Sequence, residues 1–349
     1  MVLKTDITEM FGIKHPIFQA PMGGSGLRDL ALVVSEAGGI GVIGHDSPIG
    51  SPEMYLKSRQ DMKENLLYLA EHTDKPFGVN IRTTRVQQDA EKMCSEIPEF
   101  IMNNPKLKEQ CVYIVTSAGS SRMLPASKSF QKLKESSSQI KHFHVAPALW
   151  LADKCITSNV DGIICTGSEG GGHQSYEEVS TLVLLQQVTQ KYPEVPLIAC
   201  GGFATGQGLA AALSMGAGAV VMGSRFLASK ECKFPKAYKD VIPPAKAEDT
   251  VIVTGMLGPI RLWRNAYTAE HGLKTKSEKI TQEKKMTMKD LIEEVSHYGY
   301  VSKGNRKNKA LLLGQSVGLI KSIDSVKDII ETIINDAEKC LKRSSKYIS

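Results

Sequence analysis

Short apolar runs recur along the chain, and each is closed by a glycine or proline turn and followed by a segment with helical spacing. Because almost every position of these runs is apolar, they predict strands that are buried on both faces, as in a parallel sheet. The eight runs are Pro16–Pro21, Gly39–Gly44, Pro76–Ile81, Cys111–Ser117, Phe143–Ala148, Asp161–Gly167, Pro196–Gly202 and Ala219–Phe226.

The segments between these runs predict helices long enough for right-handed crossover connections. They are Arg28–Glu36, Pro52–His72, Val86–Asn103, Pro125–Ser138, Leu149–Ser158, Glu177–Tyr192 and Gly206–Met215. Eight strand–helix units favour an α/β fold of the (β/α)8 TIM barrel type. A doubly wound open sheet is the alternative, but it would not need eight units, and no GxGxxG motif opens the first helix.

The alternation of strand and helix ends after Phe226. The segment from Ala228 to about Asn308 is rich in lysine, has few strand signals, and contains short helical patterns such as Met286–Tyr298. A final amphipathic pattern, Gly314–Lys342, predicts a helix that returns to the barrel. The predicted domains are a barrel over residues 1–227, a small, mostly helical substrate-side domain over 228–312, and the C-terminal helix within 313–349.

Composition narrows the classes of protein that remain. With 349 residues and 42% hydrophobic content, the chain can bury a full core. Its net charge of +6 and 6% aromatic content do not form the basic, aromatic-rich stripe expected of a nucleic-acid-binding protein. The seven cysteines form neither a CxxC pair nor a zinc-binding spacing, which favours a reducing compartment and predicts no metal site. We expect no signal peptide, no membrane span and a cytoplasmic location.

Catalytic and binding groups of a TIM barrel lie at the carboxyl ends of its strands. Two of these ends, Gly201–Gly202 and Gly223–Ser224, follow the last two predicted strands. Loops at these positions commonly form a phosphate site together, because glycine lets backbone N–H groups approach the phosphate. The sequence therefore predicts a site for a phosphorylated cofactor or substrate.

The end of the sixth predicted strand carries the most chemically suggestive motif. His173 follows three consecutive glycines there, which allow a flat ligand to approach the backbone, and its imidazole can act as an acid or a base near neutral pH. His45 ends the second strand and is a candidate for substrate contact or for a supporting role. Asn80, near the end of the third strand, is a candidate turn cap or ligand contact.

Several longer motifs occur in a characteristic order over nearly the whole chain. They are PIFQAPMGG (16–24), DKPFGVNI (74–81), GSEGGGH (167–173), the glycine-rich stretch 199–226, DTVIVTG (249–255), GPIRLWRN (258–265) and GQSVGLI (314–320). In this order they resemble the nitronate monooxygenase (2-nitropropane dioxygenase) family. That family shares its fold with the FMN-dependent enoyl-acyl-carrier-protein reductases.

The resemblance implies that FMN lies across the barrel mouth and that His173 is the catalytic acid or base. The residues that it implies for binding FMN are Met22 and Gly23 beside the isoalloxazine ring, Asn80, Gly172 along the flavin, and Gly201, Gly202, Gly223 and Ser224 at the phosphate. The candidate substrate residues are His45, Gln174, Ser175, Gln315 and Gly318.

The favoured activity is the oxidation of nitronates or nitroalkanes with O2 to carbonyl compounds and nitrite. His173 would deprotonate a neutral nitroalkane or hold the anion by a charge-assisted hydrogen bond. The alternatives are an FMN-dependent NAD(P)H enoyl-ACP reductase, an NAD(P)H:quinone reductase, a flavin-free phosphate-binding isomerase or lyase, and a non-catalytic FMN-binding protein. The expected partner is a small-molecule substrate, and NAD(P)H and a second copy of the chain remain open options.

One departure from the family pattern bears on the substrate. Gln174 and Ser175 follow the histidine, at positions where the family is expected to have Arg and Gly. We therefore expect that a cationic partner for an anionic substrate or cofactor is missing at this point of the chain.

Overall fold

In the computed structural model, which describes residues 3–23, 27–46, 51–84, 87–137, 139–255, 258–283, 285, 287–298 and 309–347, eight parallel strands form one nearly closed barrel. In chain order the strands are β1 (Ile17–Gln19), β2 (Gly41–Ile43), β3 (Phe77–Arg82), β4 (Cys111–Ser117), β5 (Lys141–Ala146), β6 (Gly162–Thr166), β7 (Gly172–His173), β8 (Leu197–Cys200) and β9 (Ala219–Met222). All except β7 belong to the barrel. The predicted TIM barrel is confirmed, and each of the eight apolar runs overlaps one barrel strand.

The barrel closes between β1 and β2. Its strand order is β1-β9-β8-β6-β5-β4-β3-β2, so that the first and last strands of this order must meet. They do so through a single parallel bridge between Phe18 and Ile40, with Gln19 N–H donating to Ile40 O at 2.9 Å.

The helices that connect successive barrel strands cover its outside, as the crossover lengths predict, and further helices precede and follow the barrel. In chain order they are α1 (Asp6–Phe11), α2 (Arg28–Glu36), α3 (Pro52–His72), α4 (Ala90–Met102), α5 (Pro105–Gln110), α6 (Lys128–Ser136), α7 (Leu149–Thr157), α8 (Thr181–Lys191), α9 (Gly206–Ser214), α10 (Ser224–Leu227), α11 (Lys236–Lys239), α12 (Ala266–Glu270), α13 (Lys276–Glu283), α14 (Met288–His297) and α15 (Val326–Ser344). The sequence analysis missed α5, which begins at Pro105 and is capped by Asn104, whose side chain accepts from Leu107 N–H. Helix α4 begins at Ala90, and Val86 lies outside the described residues.

Helix α1 closes the end of the barrel where the strands begin. Phe11 packs against the interior rings of Phe18, Tyr113 and Phe143, with centroid separations of 5.6, 5.5 and 5.7 Å. Thr5 Oγ1 donates to Gly218 O, just before β9, at 2.7 Å. This end of the barrel is therefore filled by side chains, which leaves the opposite end, where the strands finish, as the place for a ligand cavity.

The lysine-rich segment contains a β-hairpin in addition to helices. Strands β10 (Thr250–Gly255) and β11 (Gly258–Trp263) pair antiparallel, and β7 adds to β11 with His173 opposite Ile260. The sequence analysis expected few strands here, yet this small sheet holds the backbone of His173.

The C-terminal helix starts later than predicted. Residues Gln315–Leu319 form a 3-10 turn, and α15 begins only at Val326, where Ser325 accepts from Asp328 N–H. The apolar spacing typical of a helix continues from Val326 back towards Gly314, although these residues do not belong to α15. It does so because Val317 and Ile320 are themselves buried in the barrel's outer core.

Candidate functional site

A cavity of about 570 Å³ lies at the carboxyl ends of the barrel strands, a size typical of small-molecule pockets. About half of its wall is formed by strand-end residues, with additional residues from α3, the β6 loop and the segments after the barrel. The lining residues include Met22, Gly23, His45, Asp46, Lys57, Asp61, Arg82, Gly170, Gly171, His173, Gly201, Gly202, Gly223, Ser224, Tyr298 and Ser316.

The ends of β8 and β9 present backbone to this cavity. Gly201 and Gly202 have φ angles of +91° and +86°, which strongly favour glycine. A Cβ on Gly202 would meet nothing nearer than the Glu169 Cβ at 3.6 Å, and one on Gly223 nothing nearer than the Ala20 Cβ at 3.5 Å. Side chains at these two positions would therefore project into open space beside the backbone, which fits the predicted phosphate site.

The glycine loop before His173 is held tightly from both sides. The Glu169 carboxylate accepts from the N–H and Oγ1 of Thr181, at 2.8 and 3.0 Å. A Cβ on Gly171 would lie only 2.6 Å from Gly314 N, and Gln315 N–H donates to Glu169 O at 2.9 Å. Glycine is required at position 171 because the C-terminal segment passes so close, and the resulting contacts position His173.

His173 lines the cavity from β7. Its ring is half-buried, and its Nε2 atom is buried without a hydrogen-bond partner. The Tyr298 ring lies nearly parallel to it, with an interplanar angle of 8° and a centroid separation of 6.4 Å. Burial, together with the charge of Arg82, lowers the pKa of His173 to about 3, so that the imidazole is neutral at neutral pH.

His45 is a second neutral imidazole in the cavity. Its Nδ1 accepts a hydrogen bond from the backbone N–H of Arg82 at 3.2 Å, which places the proton of the neutral ring on Nε2. That Nε2 is buried and has no partner. Burial and then the charge of Arg82 lower the pKa of His45 to about 3.

Arg82, the last residue of β3, is a cavity residue that the sequence analysis missed. Burial lowers the pKa of its guanidinium, and the negative charge of Asp46 opposes this shift. Its Nη2 atom lies 3.8 Å from the position that a Cβ on Gly23 would occupy. The available signal was its place directly after the predicted run Pro76–Ile81, at a strand end where site residues are expected.

Four other predicted residues are absent from the cavity wall. Asn80 is buried, and its Nδ2 donates to Val115 O and Ser117 Oγ, both at 3.1 Å. Gln174 Nε2 donates to Gly170 O at 2.7 Å, and Ser175 Oγ donates to Pro147 O at 2.8 Å. Gly172 supports β7 with a φ of +90°.

The two predicted residues of the C-terminal segment also serve the surrounding framework. The backbone of Gln315 bonds to Glu169, and a Cβ on Gly318 would lie 2.7 Å from Ala247 N. Their neighbour Ser316 does line the cavity. Met22 and Gly23 line it as well, whereas Gly24 lies outside the described residues.

A second cavity, of about 590 Å³, lies in the segment after the barrel and is lined by both acidic and basic side chains. No barrel strand contributes to its wall. Within the described residues, no cluster of three or more His, Cys, Asp or Glu is arranged to hold a metal ion. No described helix is both long enough and apolar enough to span a membrane.

Comparison with known proteins agrees with this architecture. The family described as nitronate monooxygenase matches residues 4–336. A (3aS,4S,5R,7aS)-5-hydroxy-7a-methyl-1-oxo-octahydro-1H-indene-4-carboxyl-CoA dehydrogenase of Mycobacterium tuberculosis is 28% identical, covering 100% of both chains. A probable nitronate monooxygenase of Staphylococcus saprophyticus is 27% identical, covering 98% of this chain and 100% of the relative.

Solved structures extend the comparison. FabK from Thermotoga maritima is 32% identical, with a TM-score of 0.79 over 99% of this chain and 100% of FabK. A nitroalkane oxidase from Streptomyces ansochromogenes has a TM-score of 0.74 over 97% of this chain and 99% of the other, and its 21% identity shows the fold alone. Enzymes of this group are generally flavin enzymes. Since the family match spans nearly the whole barrel and the segments after it, the chain belongs to the nitronate monooxygenase family of oxidoreductases.

Proposed function

We propose that the protein is an FMN-dependent oxidoreductase that oxidises nitronates with O2 to carbonyl compounds and nitrite. The observation that carries this proposal is His173, whose unpartnered Nε2 belongs to the same cavity as the glycine-rich ends of β8 and β9. The family match and the probable nitronate monooxygenase among the relatives support it.

The residues around the cavity fit FMN. Gly201, Gly202, Gly223 and Ser224 would hold the phosphate, because all four line the cavity at the ends of β8 and β9 and the Cβ positions of Gly202 and Gly223 leave room there. Met22 and Gly23 would lie beside the isoalloxazine ring. When bound, FMN supplies the electron-accepting chemistry that no side chain of the cavity can supply.

The protonation state of His173 favours an ionised substrate. An imidazole with a pKa of about 3 binds a proton weakly, so it is a poor base for removing a proton from a neutral nitroalkane. A neutral ring protonated at Nε2 can instead donate a charge-assisted hydrogen bond to a nitronate oxygen. The bound anion would in turn raise the pKa of His173 and so strengthen this bond.

An NAD(P)H-dependent enoyl reductase is the second candidate. It is favoured by the 32% identity to FabK, an enoyl-ACP reductase, over 99% of this chain. In that reaction the cavity would hold an enoyl thioester, and the Nε2 atom of His173 would lie beside this substrate rather than beside a nitronate.

An anaerobic visible spectrum separates the two candidates. We expect the purified protein to show a flavin band that an alkyl nitronate bleaches and that NADH or NADPH leaves unchanged, with nitrite released after oxygen is admitted. Bleaching by a nicotinamide, without any response to the nitronate, would favour the enoyl reductase. Native protein without any flavin would contradict both.

A further inference from the structure

We infer that Arg82 and His45 form an anion subsite in the cavity that binds the paired oxygens of an ionised substrate, such as a nitronate. This inference rests on the proposed function and deepens it, because it names the groups that would select the nitronate over the neutral nitroalkane.

Arg82 has the place and the shape that an anion subsite needs. Its side chain lines the cavity at the carboxyl end of β3, and its Nη2 lies near Gly23 on the loop after β1. A guanidinium is planar and presents N–H groups as a fork, which matches two oxygens held in one plane. Nitronates, carboxylates and nitrate all present such a pair.

His45 adds a second donor to the cavity, which its hydrogen bond to the backbone of Arg82 orients. Because His45 Nδ1 accepts from Arg82 N–H at 3.2 Å, its Nε2 is a donor, and this donor is buried without a partner. Buried donors are rarely left unsatisfied unless a ligand or water supplies an acceptor. A substrate oxygen in the cavity would satisfy this one.

The other charged side chains on the cavity wall balance one another. Lys57 and Asp61 pair with each other at 3.4 Å, and the charge of Asp46 favours the protonated form of Arg82. These four groups carry no net charge together. The subsite therefore binds an anion through directed N–H donors rather than through net charge, which favours an oxyanion of matching shape over halide.

Arg82 also replaces the cation that the sequence analysis expected to be missing. That expectation concerned the positions directly after His173, where Gln174 and Ser175 instead bond to Gly170 and Pro147. The structure brings a cation to the same cavity from β3 instead.

Binding of nitrate tests this inference without turnover, because nitrate is planar and is not a substrate for nitronate oxidation. Calorimetry would measure its dissociation constant for the flavin-loaded protein and three variants. We expect Arg82→Met to weaken binding by roughly 10- to 100-fold, the range that loss of a charge-assisted hydrogen bond gives. The dissociation constant of Arg82→Lys should lie between those of the original protein and Arg82→Met, because lysine keeps the charge but lacks the forked N–H groups. Arg264→Met, at an exposed arginine outside the cavity, should bind like the original protein.

The subsite is overturned if nitrate fails to bind the original protein, or fails to shift the His45 imidazole resonances in its NMR spectrum. It is also overturned if Arg82→Met, or Arg82→Lys where the first variant does not fold, binds nitrate with unchanged affinity. A variant that loses flavin yet still binds nitrate overturns it as well, since Arg82 would then serve the cofactor.

The outcome is separable from that of the proposed function. Nitrate binding that depends on Arg82, without nitrite release from any nitronate, keeps the subsite and contradicts the proposed oxidation. Nitrite release with an unchanged KM for the nitronate in Arg82→Met keeps the oxidation and contradicts the subsite.

Discussion

The side chain of Gln19 pairs with the backbone of Val42 across the seam of the barrel. Gln19 Oε1 accepts from Val42 N–H at 3.4 Å, and Gln19 Nε2 donates to Val42 O at 3.3 Å. Both residues are buried. The amide thus takes the place of a second strand-to-strand bridge where the β1–β2 pairing is reduced to Phe18 and Ile40.

Gln19→Leu should therefore destabilise the barrel. The leucine leaves a buried N–H and a buried C=O of Val42 without their partner, and each unsatisfied group costs about 1–3 kcal/mol. We expect the free energy of unfolding, measured by urea denaturation, to fall by about 2 kcal/mol or more. Gln190→Leu, at an exposed position of α8, is the matched control and should change it by less than about 0.5 kcal/mol. Equal effects of the two substitutions would refute the role of Gln19.

Gly202→Asp should abolish flavin retention by placing a carboxylate against the predicted phosphate position. The isosteric Gly202→Asn carries the same backbone strain at a φ of +86° but no charge, so it should retain more flavin. Gly12→Asp, at a φ of +63° with nothing within 4 Å of its Cβ, controls for an aspartate at a left-handed position away from the cavity. The flavin-to-protein absorbance ratio after gel filtration measures the difference. Normal flavin content in Gly202→Asp would rule out this phosphate assignment.

His173→Ala should leave flavin bound and lower turnover. Its imidazole faces the cavity from β7, whereas the predicted phosphate contacts come from the glycine-rich ends of β8 and β9, so its loss removes a hydrogen-bond donor to the bound anion and leaves those contacts in place. The loss of one charge-assisted hydrogen bond is expected to lower kcat/KM by about 10- to 100-fold. His72→Ala, at the exposed end of α3, is the control and should keep full activity. Unchanged turnover in His173→Ala would remove this residue from the mechanism.

The protein should lose stability as the pH falls from about 6.5 towards 4. Burial lowers the pKa of His144 from 6.5 to about 4, and that of His142 well below its ordinary value. Below pH 6.5 the unfolded chain therefore binds more protons than the folded one, which favours unfolding, whereas above pH 6.5 the stabilisation is fully present. For His144 alone the loss amounts to about 3 kcal/mol at pH 4.

His144→Gln tests this assignment because glutamine does not titrate. The variant should show a shallower decline in the free energy of unfolding between pH 6.5 and 4 than the original protein. His72→Gln, at an exposed histidine, should keep the original pH dependence. An unchanged slope in His144→Gln would show that the acid sensitivity arises elsewhere.

The barrel was predictable because its strands are buried on both faces. Most are nearly continuous in apolar residues and end in a glycine or polar turn, so that strand and strand end are both visible in the chain. The smaller sheet, formed by β7, β10 and β11, was not predictable in this way. Strand β11 acquires its partner β7 only through the loop that carries His173, a contact between residues far apart in the chain.

The predicted start of the C-terminal helix, α15, was wrong for a related reason. Val317 and Ile320 are apolar at helical spacing with the later isoleucines, but they are buried from a 3-10 turn and an extended segment. A one-dimensional pattern records that a residue is buried and does not record which backbone conformation buries it.

The sequence by itself determined the barrel, its eight strand ends and the glycine–histidine motif after the sixth predicted strand, since these depend on local runs of residues. Only the tertiary structure decided which strand-end groups meet. Arg82 and His45 lie 37 residues apart, and neither belongs to a motif with the other. Their hydrogen bond exists because β2 and β3 are neighbours in the barrel. The pairing of these two strands follows from the closed sheet rather than from any stretch of the chain. The same holds for the burial that lowers the pKa values of His45 and His173.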